Sequence, residues 1–445
     1  MSYMPQTPED TQRMLASIGA GSADDLFAHI PEACRYQGDL DIPAAMDEIE
    51  LNRHIREIAG SETAGLPCFR GGGIYDHFIP PAVDALSGRS EFYTAYTPYQ
   101  PEASQGHLQV FFEYQTMICN MTGMDISNAS MYDGATALAE AALMAFRMKR
   151  TGKKVLAASN IHPEYLQVLA TYLRWADIPL ETVDTDPNGL TDTEDLKARA
   201  PGAAVFLFQN PNFFGLIENG EDLVCTAHEH NAYACVSADP ISLAVLKRPG
   251  DYNADIVTGE GQPLGSPPYL GGQGFGILTA REEFIRKIPG RLVGKTVDRK
   301  NRECCVLTLQ TREQHIRRGR ATSNICSNQA WCVTRAVIYC AAMGPGGLTA
   351  AASRSAENAH RLAGECARID GFSPVHRAPF FKEFVLSCPV PVSEINELLA
   401  LSRITGGIDL ETYFPDRAGQ MLVCATEKLT ARDIERFVQT LEKVS

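Results

Sequence analysis

An α/β fold on a mostly parallel sheet is what this sequence predicts, and three observations predict it. Short apolar runs alternate with amphipathic helical patterns from residue 154 to residue 279. One run, AAVFLFQN at 203–210, is continuously apolar, as expected of a strand covered on both faces. Past Gly344 the spacing changes, and a second, smaller α/β pattern begins.

The elements follow in order. Residues before about 60 are polar and helical. Thr7 suits an N-cap, with Pro8 at the first helical position and Glu9 and Asp10 in the first turn. Residues 24–30 and 44–58 are the clearer helices after it. From 60 to 106 the density of Gly, Pro and Tyr predicts ordered but irregular chain, and 108–121 is helical. The segment NASMYDGATALAEAALMAFR, 128–147, is a turn feeding a helix of small and apolar residues. Asp133 or Ser130 can cap it, and Arg147, Lys149 and Arg150, then Gly152, suit its end. Strands are expected at 154–158, 180–184, 203–210, 232–238, 255–259 and 275–279, with helices at 162–176, 191–200 and 222–231. Thr191 and Glu194 have capping-box spacing. The C-terminal pattern reads helix 349–370, strand 383–388, helix 393–402, strand 420–425 and helix 430–444. GPGGL at 344–348 marks a boundary. The expected domains are an N-terminal helical segment (1–60), a large α/β domain (61–344) and a small C-terminal α/β domain (345–445).

Composition bounds the function. The 445 residues are 44% hydrophobic and 21% charged, ordinary for a globular protein of two or three domains. A formal net charge of −14 argues against nucleic acid as the main partner. No apolar run is long enough for a bilayer, so no membrane partner is expected. The start lacks a basic region followed by an apolar core and is too acidic for a transit peptide, so a cytoplasmic, bacterial-style protein is expected. Thirteen cysteines, with no C-x-x-C, read as reduced and mostly buried thiols. No metal site is expected: His228 and His230 flank Glu229, but the H-E-x-x-H pattern is missing.

Several stretches bear on chemistry. Free amides and a hydroxyl at the helix start Gly134, Ala135, Thr136 make a site for a phosphate, unless the helix is simply packed tightly on the sheet. NPNFFG, 210–215, follows the apolar strand, where sheet enzymes keep their ligands. Asp239 ends the next strand and could hold a pyridinium nitrogen, or cap a helix with Pro240 at its first position. GRLVGKT, 290–296, has three residues between its glycines where a P-loop needs four, and GGQGFG, 271–276, misses the dinucleotide fingerprint; both read as tight turns. YTPYQPEASQG, 96–106, gathers Tyr96, Thr97, Tyr99, Gln100, Ser104 and Gln105 in one irregular stretch, which is costly to order unless these groups find partners. TREQHIRRGRATSNIC, 311–326, places Arg320 just before the neutral donors Thr322, Ser323 and Asn324, and suits an anion or partner contact.

Taken together, the blocks YDHFIPPAVDAL, EFYTAYTPYQPEASQGHLQVFFEYQ, NASMYDGATALAEA, DPISLAVLKRPGDYNADIVTGEGQPLG and LTLQTREQHIRRGRATSNIC resemble the first-subunit family of the two-subunit glycine dehydrogenase (decarboxylating), the P-protein of the glycine cleavage system. The loops Gly71-Gly72-Gly73 and Gly271-Gly272-Gln273-Gly274 depart from the family's usual wording. The resemblance implies a fold type I pyridoxal-phosphate architecture. It implies a homologous second subunit that bears the Schiff-base lysine and binds the cofactor covalently. It also implies a reaction in which glycine loses its carboxyl carbon as carbon dioxide and its aminomethyl group passes to the lipoyl arm of H-protein.

The residues agree on the lysine. The strand where such enzymes hold the cofactor is DIVTGEGQPLG, 255–265, and it contains none. Lys247 sits at a probable-helix-end sequence that favours cations, and Lys287 and Lys295 lie too far on, Lys295 in a turn. Three readings remain. The chain is a lysine-lacking subunit active only with its partner, a self-sufficient enzyme using an unexpected lysine, or a structural or regulatory homologue. In the first, Gly134, Ala135, Thr136 and Asp239 are a vestigial pocket. The residues of 96–106 named above, with Arg320, Thr322, Ser323 and Asn324, then face the partner's active site.

Overall fold

The computed structural model describes residues 6–36, 38, 40–60, 65–149, 151–268, 274–325 and 328–444. Arg150, Gly271, Gly272, Gln273 and Cys326, singled out above, lie outside them, as do the first five residues. Contacts divide the chain into two compact units, residues 1–64 and 65–445.

The first unit is helical and thin. Its opening helix, Pro8–Ser17, is capped as the sequence implies: Asp10 N donates to Thr7 Oγ1 and Thr7 N donates back to the Asp10 carboxylate. Residues 24–27 form only a 3₁₀ turn, because Asp25 spends its carboxylate on the amides of Gly21 and Ser22 and Pro31 stops the chain soon after. The second helix, Glu48–Gly60, begins later than 44, where the Asp47 carboxylate accepts from Glu50 N. No described residue of this unit is buried.

The second unit holds both sheets. In chain order the strands are β1 (Ile126–Ser127), β2 (Lys154–Ala158), β3 (Leu180–Val183), β4 (Ala203–Asn210), β5 (Tyr233–Ala238), β6 (Ile256–Glu260), β7 (Gly276–Ala280), β8 (Leu292–Val297), β9 (Glu303–Thr308), β10 (Ser373–Pro374), β11 (Glu383–Ser387), β12 (Ile408–Asp409) and β13 (Gln420–Cys424). The large sheet runs β1-β7-β6-β5-β4-β2-β3. Its centre, β6-β5-β4-β2-β3, is parallel, and β7 and β1 are antiparallel at one edge. The small sheet, β10-β11-β13-β12, is antiparallel. The large core packs the helix Gly134–Met148 on the apolar strands through Ala137, Leu138, Ala141 and Ala142 against Val155, Phe206 and Val236. Small side chains let the helix pack tightly on the sheet.

Three local expectations need correction. The helix at Thr193–Arg199 is capped by Asp192, whose Oδ1 accepts from Glu194 N and Asp195 N; the Thr191 hydroxyl is drawn instead to the buried Glu218 carboxylate. GRLVGKT is no turn. It runs into β8, which pairs with β9 around an Asp298 turn, and Lys295 sits in the strand opposite Cys305 with its ammonium over Phe112. The helical stretch Ala330–Cys366 is two helices that meet at Gly344, whose φ of 61° and ψ of 178° are not helical, with Pro345 opening the second, so a break does lie at GPGGL. By length and composition this stretch could cross a membrane, contrary to the reading of the sequence. Its Val333, Ala336, Val337 and Tyr339 pack in the core beside Phe111 and Tyr114, as a core helix does. The described cysteines are all free thiols.

Candidate functional site

The carboxyl ends of β2, β4, β5 and β6 open toward the start of the helix Gly134–Met148, where an α/β sheet takes its ligand. Asp133 caps that helix through Thr136 N at 2.7 Å. Gly134 is required there: a Cβ would stand 2.4 Å from the Tyr165 hydroxyl. Its amide does not face open space. Gly134 N donates to Glu260 Oε2 at 2.9 Å, and Gln262 N and Phe275 N donate to Glu260 Oε1 at 3.0 and 3.1 Å. A carboxylate from the end of β6 therefore lies where the sequence suggested a phosphate. Burial pushes the Glu260 carboxyl up to about 7, and the three amides oppose that rise.

Asp239 follows β5 and does not cap an α-helix. Its Oδ1 accepts from Ile241 N, and its Oδ2 lies 2.7 Å from Lys382 Nζ in a close ion pair off the line of a hydrogen bond. The Lys382 side chain is 2% exposed. Its ammonium also reaches His77 Nε2 at 2.9 Å and stands 3.4 Å from the centre of the Tyr75 ring. A lysine only donates, so His77 Nε2 accepts and its Nδ1–H donates to Glu427 Oε2 at 2.7 Å. Burial, reinforced by the Lys382 charge, holds the His77 imidazole below its usual range and keeps it neutral. Burial opposes ionisation of Glu427, but the His77 hydrogen bond and the Phe78 amide outweigh it and hold that carboxyl low. The neighbouring Glu383 accepts from Gly72 N and from the Tyr75 hydroxyl, both at 2.7 Å. One buried polar network thus ties the small sheet to the large one.

What remains between Tyr75, His162, Tyr165, Asp239 and Glu260 is a cavity of about 30 Å³, room for little more than a water. His162 stacks on Tyr165 with ring centres 4.8 Å apart, closing it further. These residues do not fit pyridoxal phosphate within this chain. Its anion position holds Glu260, its acid already holds Lys382, and among the described residues no lysine stands free at the strand end.

The two stretches singled out for a partner meet elsewhere. Tyr99 accepts from Arg291 Nη2 at 2.7 Å, with the guanidinium 5.1 Å from its ring centre, and His315 lies edge-on to the same ring. Buried Arg291 also lies 4.0 Å from Glu313. Tyr96, Gln100, Arg320 and Asn324 are exposed; Thr97, Ser104 and Thr322 are half-buried. Others turn inward. Gln105 exchanges hydrogen bonds of 2.9 Å with the backbone of Cys305, clamping β9 to the helix Gln105–Thr122. Ser323 Oγ donates to Glu140 Oε1 at 2.7 Å, and the Thr322 carbonyl accepts from Arg147. Arg312 is buried on the carbonyls of Ile288, Gly290 and Leu309, a structural role. NPNFFG is structural too: Phe213 and Phe214 pack on Val385, Leu410 and Leu422 of the small-sheet side, and a Cβ on Gly215 would meet the Glu383 carbonyl at 2.0 Å. His228 pairs with Asp255 at 2.8 Å, and among the described residues no group of side chains is poised for a metal.

The glycine cleavage system P-protein family matches residues 1–441. This chain belongs to that family. A Legionella pneumophila (strain Corby) protein named "Probable glycine dehydrogenase (decarboxylating) subunit 1" is 45% identical over all of this chain and 99% of its own. A Desulfitobacterium hafniense protein of the same name is 44% identical over the whole of both chains. A crystal structure of inhibitor-bound glycine decarboxylase (P-protein) of the glycine cleavage system superposes with a TM-score of 0.90 at 40% identity, covering both chains completely. A Burkholderia pseudomallei sphingosine-1-phosphate lyase, 13% identical, shares the fold with a TM-score of 0.66 over 93% of this chain and 94% of its own. The architecture is that of fold type I pyridoxal-phosphate enzymes, as the resemblance implied.

Reasoning from sequence missed Glu260, Lys382, His77 and Arg291. Glu260 stood inside the very stretch read for a lysine, and a carboxylate at that strand end was the available signal. Lys382 and Glu427 carry no local signal: they reach Asp239 and His77 from across the fold.

Proposed function

We propose that this chain is the lysine-lacking subunit of a heteromeric, cytoplasmic glycine dehydrogenase (decarboxylating), inactive alone. With a homologous lysine-bearing second subunit it decarboxylates glycine and delivers the aminomethyl group to the lipoyl arm of H-protein. Pyridoxal phosphate, bound covalently by that second subunit, supplies the electron sink for loss of the carboxyl group. The observation that carries this reading is the filled pocket: the sheet's ligand side is occupied by Glu260 and Lys382, while polar and cationic groups stand exposed elsewhere.

This chain's part is to complete the partner's site. Tyr96, Thr97, Tyr99, Gln100 and Ser104 supply flat surfaces and hydrogen-bonding groups that exclude water around a very small substrate, while Gln105, clamped on Cys305, holds the end of their loop. Arg320, Thr322 and Asn324 supply donors for an anion, and Ser323, whose hydroxyl is given to Glu140, holds them in place. Arg291 and His315 support the reading by joining the two stretches at Tyr99.

A second reading has one specific observation behind it. Lys382 is a lysine at the ligand side of the sheet, next to Asp239. Borohydride reduction of the purified chain with added pyridoxal phosphate, followed by peptide mapping, separates the two. The expected result is no stoichiometric pyridoxyl-lysine. A single modified peptide containing Lys382 would replace the partner reading with a self-sufficient enzyme. Mixing the chain with the second subunit, glycine and H-protein should then restore glycine–carbon dioxide exchange; no gain over the second subunit alone would leave a structural homologue.

A further inference from the structure

We propose that Arg291 is a positioning residue for the substrate: it takes the acceptor side of the Tyr99 hydroxyl, so that the Tyr99 proton is left to grip the carboxylate of an amino acid. The inference rests on the reading that the loop of Tyr99 lines the partner's site, and it names the group of glycine that this loop holds. Arg291 differs from the other buried arginines among the described residues. Arg312 gives Nε, Nη1 and Nη2 to the carbonyls of Leu309, Ile288 and Gly290. Arg335 gives the same three nitrogens to the Gly265 carbonyl, the Ser87 hydroxyl and Asp84. Those two tie elements together. Arg291 has a side chain only 3% exposed, yet its one side-chain hydrogen bond goes to Tyr99, and its Nε and Nη1 have no partner among the described residues. The Glu313 carboxylate stands 4.0 Å off and lies closer, at 3.6 Å, to His315. A buried charge so thinly paired is costly, and a fold with no use for it would do as well with an apolar side chain there.

What the arrangement does is fix one phenol. The backbone of Arg291 is pinned, since its carbonyl accepts from Ala129 N at 2.8 Å and β8 begins at the next residue. A phenol oxygen has one proton and two lone pairs. With the guanidinium donating to that oxygen at 2.7 Å, the Tyr99 proton points elsewhere, and it meets no acceptor among the described residues. A cationic donor on the oxygen also polarises the phenol and strengthens its remaining proton as a donor. Arg291 is too buried to touch a ligand itself, whereas Tyr99 is exposed. Glycine has no side chain, so an ammonium and a carboxylate are its only handles, and a donor backed by a cation fits the carboxylate. The carboxyl group leaves as uncharged carbon dioxide. This hydrogen bond therefore acts on the capture of glycine and not on the barrier.

The test is steady-state glycine–carbon dioxide exchange by the chain assembled with its second subunit and H-protein, in the wild type, Tyr99→Phe, Arg291→Gln and the double variant. Tyr99→Phe should raise the KM for glycine about tenfold, the scale of one hydrogen bond to a charged group, with kcat within about twofold. Arg291→Gln should raise it severalfold, and Arg291→Lys, which keeps the charge, should recover part of the loss. In the Tyr99→Phe background Arg291→Gln should add nothing, because it acts through the lost hydroxyl. An unchanged KM in Arg291→Gln, or equal effects of Arg291→Gln in both backgrounds, would overturn the inference. A fall in kcat at unchanged KM would overturn it as well, since the proton would then serve the chemical step. If Arg291→Gln does not assemble, Arg291→Lys carries the same cycle. The partner reading fails differently: Tyr99→Ala, which removes the whole ring, would then leave KM and kcat at the wild-type values. If Tyr99→Ala is impaired and Tyr99→Phe is not, the loop lines the site but its hydroxyl holds no carboxylate.

Discussion

The pocket at the end of the parallel sheet and the face around Tyr99 are opposites. In the pocket each charge has a partner from another part of the fold: Glu260 with three amides, Lys382 with Asp239 and His77, Glu427 with His77. At the face, Tyr96 is 74% exposed and Gln100, Arg320 and Asn324 are exposed as well, while Arg291 and His315 hold Tyr99 in place. The pocket has been completed by the chain's own side chains, and the face has not. A pocket without a ligand closes over its polar groups, because an unpaired buried charge costs several kcal/mol. On the proposed reading the face meets another chain, and its polar groups stay solvated until then.

The contrast can be broken most forcefully at Lys382. Lys382→Met strands Asp239 in a buried site, and chemical denaturation should show a loss of about 3–5 kcal/mol. Lys382→Met with Asp239→Asn should recover most of it. A single variant as stable as wild type would mean that the clasp is not a closed ion pair.

Glu260 offers a pH test of the same region. Its carboxyl titrates at about 7 in the fold, above its ordinary 4.5. Between those values the folded chain holds a proton that the unfolded chain has lost. The contribution is therefore fully present below about 4.5 and is lost as pH rises toward 7. Wild type should lose stability relative to Glu260→Gln over that window, by about 2 kcal/mol after discounting for the residue's remaining exposure. A pH-independent difference would mean that burial does not raise this carboxyl in the fold.

At the face the expected effects fall on activity instead. Tyr99→Ala and Gln100→Ala, assembled with the second subunit, should lower glycine–carbon dioxide exchange about tenfold, ~1.4 kcal/mol in the barrier, with melting of the isolated chain little changed. Activity that falls only in step with unfolding would make this loop a structural one. The mildest change is Thr322→Ala, which should weaken cofactor binding in the assembled enzyme severalfold, the scale of one hydrogen bond, ~1 kcal/mol. Unchanged affinity and rate would remove Thr322 from the shared site.

The sheet was legible because its strands announce themselves locally. AAVFLFQN, the capped helix at Gly134 and the absent lysine of 255–265 all lie within single windows of sequence. The β8–β9 hairpin was not legible, since its turn depends on one Asp298 carboxylate gathering the amides of Lys300 and Arg302. The contents of the pocket were hidden for a different reason. His77 meets Glu427 and Lys382 only after more than three hundred intervening residues have folded. No periodicity records such a meeting. Sequence could say which group was missing from the pocket, but not what had moved in.

Lys382 and Glu383 are adjacent residues, yet they hold two different parts of the large unit, Asp239 on one side and the Gly72–Tyr75 loop on the other. This makes the filling of the pocket hard to undo. A lysine restored to the end of β6 would still find the anion position and the acid both taken. Clearing either one first would cost stability before any cofactor could repay it. On the proposed reading, in which the second subunit carries the cofactor, the route back to a cofactor-bearing copy runs through weakened intermediates, and the division of labour between two subunits acts as a ratchet.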